Sequence, residues 1–138
     1  MGAVDATLRA RQFAADQFLD ACDVKRPTGH ATQDETTGRE VPEYETLYSS
    51  PCKVASRVSK GDTLARYVTI GGVERPVIDG GIHLPMSALD IGISYVITLT
   101  ALGPVTDPRL LGQSFRVESV PSKSYATARR LDVVEVDL

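Results

Sequence analysis

The first part of the chain shows helical spacing of its apolar residues. Residues 3–20 contain neither Gly nor Pro, and their apolar side chains recur at roughly helical intervals: Val4, Leu8, Ala15, Phe18 and Leu19. Charged side chains fall mostly between these positions. The pattern predicts one amphipathic helix over residues 3–20.

After the helix, the spacing changes to strand-like alternation. Cys22 and Val24 alternate with charged residues, and Pro27 is expected to stop this strand because proline has no N–H to donate. The polar residues that follow predict a long exposed loop over about 27–43, with a turn at Thr37-Gly38. A second strand is predicted through these residues: Tyr44, Thr46, Tyr48, Cys52 and Val54.

The two cysteines occupy these two predicted strands. In a hairpin centred near residue 37, residues whose numbers sum to about 74 face each other, which places Cys22 opposite Cys52. We expect two small buried side chains that pack as free thiols, because disulfides are uncommon in a reducing cytoplasm. A disulfide is the alternative.

The remaining pattern predicts further short strands separated by turns. A second irregular stretch covers about 55–72, and two strands over 73–78 and 82–86 flank a predicted turn at Asp79-Gly80-Gly81. Three more strands are expected in the last third of the chain: 95–100, 114–120 and 129–136. One helix and about seven short strands predict a single mainly β domain over 1–138, with a small closed β-barrel over 22–136.

Charge and composition exclude several function classes. The chain has 138 residues and a net charge of −3, which argues against unaided tight binding to nucleic acid. No apolar run approaches the length of a membrane span. With two Cys and two His that are not locally spaced, we expect no metal and no cofactor.

An enzyme is not expected either. His83 with Asp79 and Ser87 would be the members of a hydrolase site, yet nothing places Ser87 on a nucleophile turn. A strand histidine at a surface or an interface is the preferred interpretation.

Two clusters of opposite charge are candidates for contacts between subunits. Asp34, Glu35 and Glu40 lie in the polar loop, which is either a solvated tip or an interaction arm. Near the C-terminus the basic residues are Lys123, Arg129 and Arg130. Because neighbours on a strand point to opposite faces, the two arginines cannot form one flat phosphate-binding patch. Intersubunit salt bridges are therefore favoured over DNA readout.

Three stretches resemble the small head–tail connector proteins of long-tailed phages and prophages of actinobacteria. They are Cys-x-Val-x-Arg-Pro-Thr-Gly at 22–29, Leu-Gly-x-x-Phe-Arg-Val at 111–117, and Lys-Ser-x-Ala-Thr-Ala-Arg-Arg-Leu at 123–131. The C-terminal motif is the most specific, and the resemblance covers most of 20–136. It implies a head-completion, or stopper, protein with a small β-barrel fold. The additional N-terminal helix either packs on its own barrel or reaches a neighbouring subunit.

The resemblance also implies partners and a location. A stopper forms a homo-oligomeric ring, six- or twelve-fold, in the neck of the virion after assembly in the host cytoplasm. Adaptor and portal proteins lie above it, the tail terminator and tail tube lie below it, and double-stranded DNA passes without sequence-specific contacts. No membrane is involved.

By the same resemblance, a loop over about 55–70 closes the channel, with its tip at Ser59, Lys60, Gly61 and Asp62. An adaptor or tail-terminator role in the same neck is the nearest alternative. A monomeric β-barrel that binds oligosaccharide or single-stranded nucleic acid is the alternative from another class.

Overall fold

The computed structural model describes residues 2–55 and 66–137. Over these residues the chain folds into one α-helix and eight strands: α1 (Ala3–Asp16), β1 (Asp20–Gln33), β2 (Glu40–Val54), β3 (Tyr67–Ile70), β4 (Val73–Pro76), β5 (Ile78–Leu84), β6 (Val96–Ala101), β7 (Ser114–Ser119) and β8 (Arg129–Val136). A short 3₁₀ turn, Pro108–Leu110, lies between β6 and β7. The predicted mainly β fold with one N-terminal helix is confirmed.

Six of the strands form one antiparallel sheet. The hydrogen-bonded order is β1-β2-β5-β8-β7-β6, and β6 pairs in turn with β1. β3 and β4 form a separate two-stranded hairpin with a turn at Gly71-Gly72. The prediction of an irregular stretch up to residue 72 is therefore wrong for β3, whose four residues are extended and paired with β4.

The core consists of the inward side chains of the six-stranded sheet. Its largest fully buried members are aliphatic and come from β5, β6 and β8: Ile82, Leu84, Ile97, Leu99 and Leu131. Branched aliphatic residues suit this position because they pack well on a pleated surface. The predicted bounds of the last strand are confirmed, since β8 runs over Arg129–Val136.

The N-terminal helix differs from its prediction in length and in orientation. It ends at Asp16, and Val4 and Leu8 are more than half exposed. Its half-buried face carries mainly small residues, among them Ala10, Ala14 and Ala15. Alanine allows a helix to approach a sheet closely, so the position of the small residues decides which face of α1 turns toward the sheet. The helix contacts its own chain, because Arg11 Nε donates a hydrogen bond to the carbonyl of Ala126 at 2.8 Å.

The predicted stop at Pro27 and the predicted loop over 27–43 are wrong. β1 continues to Gln33 and pairs with β2 up to Glu40, so that only the tip is a turn. Pro27 is tolerated because β1 pairs with β6 only as far as Lys25, so that at Pro27 it is an edge strand with β2 as its one ladder neighbour among the described strands. At the tip, the amide of Asp34 donates to the carbonyl of Arg39 at 2.8 Å.

The direct pairing of the two cysteines is also wrong. Cys22 lies opposite Ser50 and Cys52 opposite Asp20, because irregularities in the β1–β2 ladder shift its register. Both cysteines are free and fully buried, as expected. The hydrogen bond with the Cys22 thiol, together with burial, raises the pKa of Cys52.

The predicted turn at Asp79-Gly80-Gly81 is a bulge inside β5. The register against β8 shifts between Ile78 and Ile82. Gly80 has a φ of +60°, and a Cβ on Gly81 would lie only 2.7 Å from Ile78 Cγ2. The Asp-Gly pair thus supplies the conformation that a bulge requires, and the strand continues through it.

Candidate functional site

A long two-stranded projection extends from one end of the sheet, and we call residues 27–44 the arm. At its base, Arg26 and Glu45 face each other across the ladder and form an ion pair, with 3.0 Å between Arg26 Nε and Glu45 Oε1. From Arg26 to Gln33 the strand spans about 23 Å at 3.3 Å per residue. Within the described chain, the arm strands form ladder pairs only with each other. The arm is therefore supported only at its base.

The arm is acidic. It carries Asp34, Glu35, Glu40 and Glu43 against the single basic residue Arg39. The carboxylate of Asp34 accepts a hydrogen bond from the Thr36 amide at 2.9 Å, which lowers the pKa of Asp34 and fixes the turn. The three glutamates are exposed, and among the described residues no ion pair includes them. Their charges are available to a partner.

A row of cationic and titratable side chains crosses the outer face of the sheet. Lys53 of β2 lies opposite His83 of β5, and His83 lies opposite Arg130 of β8. Directly opposite residues have Cβ atoms about 4.5–5.5 Å apart. We call Lys53, His83 and Arg130 the cationic row. Each member points outward because its flanking core residues, such as Ile82, Leu84 and Leu131, point inward.

The cationic row lines a groove of about 720 Å³. The segment between β7 and β8, residues 121–128, also lines it, and this segment contributes Lys123. The hydrogen bond from Arg11 to the Ala126 carbonyl ties α1 to this segment. A smaller cavity of about 260 Å³ between α1 and the sheet includes the same row. The helix and the segment thus form walls around the three side chains.

The groove carries a net positive charge, because Lys53, Lys123 and Arg130 outnumber its two aspartates, which both pair with Arg66. Arg66 Nη2 lies 2.9 Å from Asp79 Oδ1 and 3.4 Å from Asp132 Oδ2, and the hydrogen bond with Asp79 raises the pKa of Arg66. Asp132 also accepts the Gly80 amide at 2.9 Å and the Ser119 hydroxyl. In residues 2–55 and 66–137, no ion pair includes the lysines of the groove or Arg130.

The structure separates the residues that the sequence grouped together. Arg130 and Lys123 both line the groove. Arg129 is half-buried, and its Nη2 donates to the Met86 carbonyl at 3.2 Å, so it contacts its own chain. Asp34, Glu35 and Glu40 lie at the tip of the arm. The predicted gate residues lie outside the described residues: Ser59, Lys60, Gly61 and Asp62.

Sequence reasoning missed Lys53 as a site residue and placed His83 at a surface or an interface without assigning it to a site. The sequence did contain a signal for both, since each is a single polar residue between two apolar residues that point inward. Lys53 lies between Cys52 and Val54, and His83 lies between Ile82 and Leu84. That alternation predicts an outward side chain. It does not predict that β2, β5 and β8 are neighbours.

Chemically, the groove suits recognition of an anion. Lysine and arginine donate charge-assisted hydrogen bonds to carboxylate or phosphate oxygens. Within the described ranges, no group of three or more His, Cys, Asp or Glu residues is arranged to hold a metal ion. In that same part of the chain, the helix is too short and too polar to cross a membrane.

The family described as a family of unknown function (DUF6093) matches residues 10–134, so the chain belongs to this family. Comparisons with curated proteins and with solved structures give no match.

Proposed function

We propose that this member of DUF6093 is a structural virion protein, a head-to-tail stopper that forms a ring in the neck of a phage. In this proposal the six-stranded sheet is a small closed β-barrel that serves as a rigid body. The ring joins adaptor and portal proteins above to the tail below, retains packaged DNA, and lets DNA pass without sequence-specific contacts.

The acidic arm is the observation that carries this proposal. An exposed projection of about 23 Å, held only at its base, is costly to order unless it binds something. The same chain presents a groove of opposite charge. A contact between two different surfaces of one chain is heterologous, and heterologous contacts generate rings when the rotation closes.

The motifs of the resemblance occupy parts of the fold that support this assembly. Phe115 and Val117 of the 111–117 stretch are buried in β7. Ala126 and Ala128 of the 123–131 stretch are buried in the segment that lines the groove, and Arg130 follows them. A mildly acidic surface, with a net charge of −3, would also avoid holding DNA in the channel.

A deletion in the phage or prophage that encodes the chain tests the proposal. We expect heads that package DNA but fail to retain it or to join tails, and a plasmid copy of the gene should restore infectious particles. Cryo-electron microscopy of the complemented virions should then show extra density in the neck for a tagged copy. Normal infectious virions without the protein would refute the proposal.

A monomeric ligand-binding module is the second candidate, and the groove of about 720 Å³ is the observation that favours it. That volume lies within the range of about 300–1,000 Å³ that small-molecule sites occupy. This candidate predicts a protein that is absent from virions and binds a small anion. An adaptor or tail-terminator role would instead place the tagged density in another layer of the same neck.

A further inference from the structure

We infer that the groove is the binding site for the acidic arm tip of a second copy of this chain. The inference deepens the proposed function, on which its place in a ring rests. It assigns Lys53, Lys123 and Arg130 as the residues that receive the carboxylates of Glu35 and Glu40, while His83 shapes the floor between two of them.

The geometry of β2 excludes a contact within one chain. β2 runs from Glu40, beside the arm tip, to Val54, beside the groove, with two register shifts against β1 on the way. The thirteen residue steps from Glu40 to Lys53 cover up to about 43 Å at 3.3 Å each. A strand of this length separates the two surfaces, so the arm tip that enters a groove must belong to another copy.

The charges of the two surfaces are complementary. The arm tip offers exposed glutamates, and the groove offers two lysines and Arg130, with both sets outside every ion pair that the described residues form. Asp79 and Asp132 repel the incoming tip less than two unpaired carboxylates would, because Arg66 pairs with both and offsets one of the two charges. Complementary potentials of this kind fix the register of a contact and speed up its formation.

The size of the groove favours a peptide tip over duplex DNA. Its cationic row is three strands wide, or roughly 10 Å at a strand spacing of 4.8 Å. Duplex DNA is bound by neutralising many phosphates along an extended basic face. The groove is concave, and its cationic row lies next to the carboxylates of Asp79 and Asp132. Such a groove can receive a few side chains of a hairpin tip far better than it can bind a rigid polyanion.

Each copy then donates one arm and receives one. Because the donor surface and the receptor surface differ, the contact can be repeated from copy to copy until the ring closes. The long β1–β2 ladder sets the distance between neighbouring sheets, and the ion pair between Arg26 and Glu45 stabilises the arm at its base.

The contact can be tested with an isolated arm, even if the full ring requires other neck proteins. The probe is a fluorescein-labelled peptide of residues 27–44, closed by an added terminal disulfide, and the receptor is the full chain. Fluorescence anisotropy should show saturable binding that weakens as salt rises from about 50 to 300 mM. Replacement of Lys53 and Lys123 by Glu should weaken binding at least about tenfold.

Two controls separate recognition from folding. Arg9→Glu changes an exposed charge on α1 that does not line the groove and should leave binding unchanged. A peptide with Glu35→Lys and Glu40→Lys should lose binding to the wild-type chain and regain it with the Lys53→Glu, Lys123→Glu chain. Equal binding of the normal peptide to both chains would overturn the inference, as would displacement of the peptide by duplex DNA at equal concentration.

A photo-cross-linking residue at position 35 separates this inference from the proposed function. Incorporated into virions or into the purified chain, it should link to residues 53, 83, 123 or 130 of another copy. Cross-links in virion necks that map elsewhere would refute the arm contact and leave the stopper function standing. Cross-links to the groove in a protein that is absent from virions would refute the stopper function alone.

Discussion

The bulge in β5 makes Gly81 a position where one added methyl group should strongly lower stability. A Cβ at residue 81 would lie 2.7 Å from Ile78 Cγ2 and 3.0 Å from Val133 Cγ2. Ordinary carbon contacts are about 3.5–4.0 Å. Both neighbours are β-branched, and Val133 is fully buried, so rotation of their side chains cannot relieve the overlap.

The loss of stability expected for Gly81→Ala has two parts. Overpacking a filled core costs about 1–3 kcal/mol. Displacement of the bulge would also weaken the hydrogen bond of 2.9 Å from the Gly80 amide to Asp132, which contributes about another 1 kcal/mol. We therefore expect Gly81→Ala to lower the free energy of unfolding by about 2–4 kcal/mol.

Urea denaturation followed by far-ultraviolet circular dichroism measures this loss, and the absence of Trp makes fluorescence less useful. Gly112→Ala is a control without steric overlap, because a Cβ on Gly112 would meet nothing within 4 Å. Since Gly112 has a φ of +81° and Gly81 does not have a positive φ, the control variant adds only backbone strain of about 1–2 kcal/mol. If Gly81→Ala lowers the free energy of unfolding by less than about 1 kcal/mol, the steric argument is wrong.

Three further predictions concern buried and titrating groups. Asp20→Ala should cost about 1–3 kcal/mol in urea denaturation, because buried Asp20 accepts a loop amide at 2.8 Å and a threonine hydroxyl at 2.6 Å; a loss below about 0.5 kcal/mol would contradict this. Cys22 and Cys52 should resist a thiol reagent in the native chain and both react after denaturation without reductant; no free thiol would indicate a disulfide. The Asp34 carboxyl should titrate below 3.8 by NMR, since the Thr36 amide favours its charged form. Its stabilisation of the turn should be present above pH 3.8 and be lost as the pH falls through the lowered pKa, and a midpoint at or above 3.8 would contradict this.

The local sequence pattern predicted the structure correctly where the neighbours of a residue in the chain decide its conformation. The alternation of Leu131 and Val133 with polar residues predicted β8 with its observed bounds. The Thr37-Gly38 pair lies in the turn of the arm. The pattern gave the wrong prediction where a residue is compatible with several structures. Pro27 is compatible with a turn and with an edge strand, and Asp79-Gly80-Gly81 is compatible with a turn and with a bulge.

The sequence alone determined that the chain is mainly β, that the alternating apolar side chains of β7 and β8 face inward, and that one loop is acidic. Only the tertiary structure decided that this loop is a projecting arm and that Lys53, His83 and Arg130 form one row. The physical reason is the range of the interactions. Alternation depends on the pleat of a single strand, whereas the order of strands depends on burial summed over the whole sheet. Residues 53, 83 and 130 lie far apart in the chain and become neighbours only when that sheet forms.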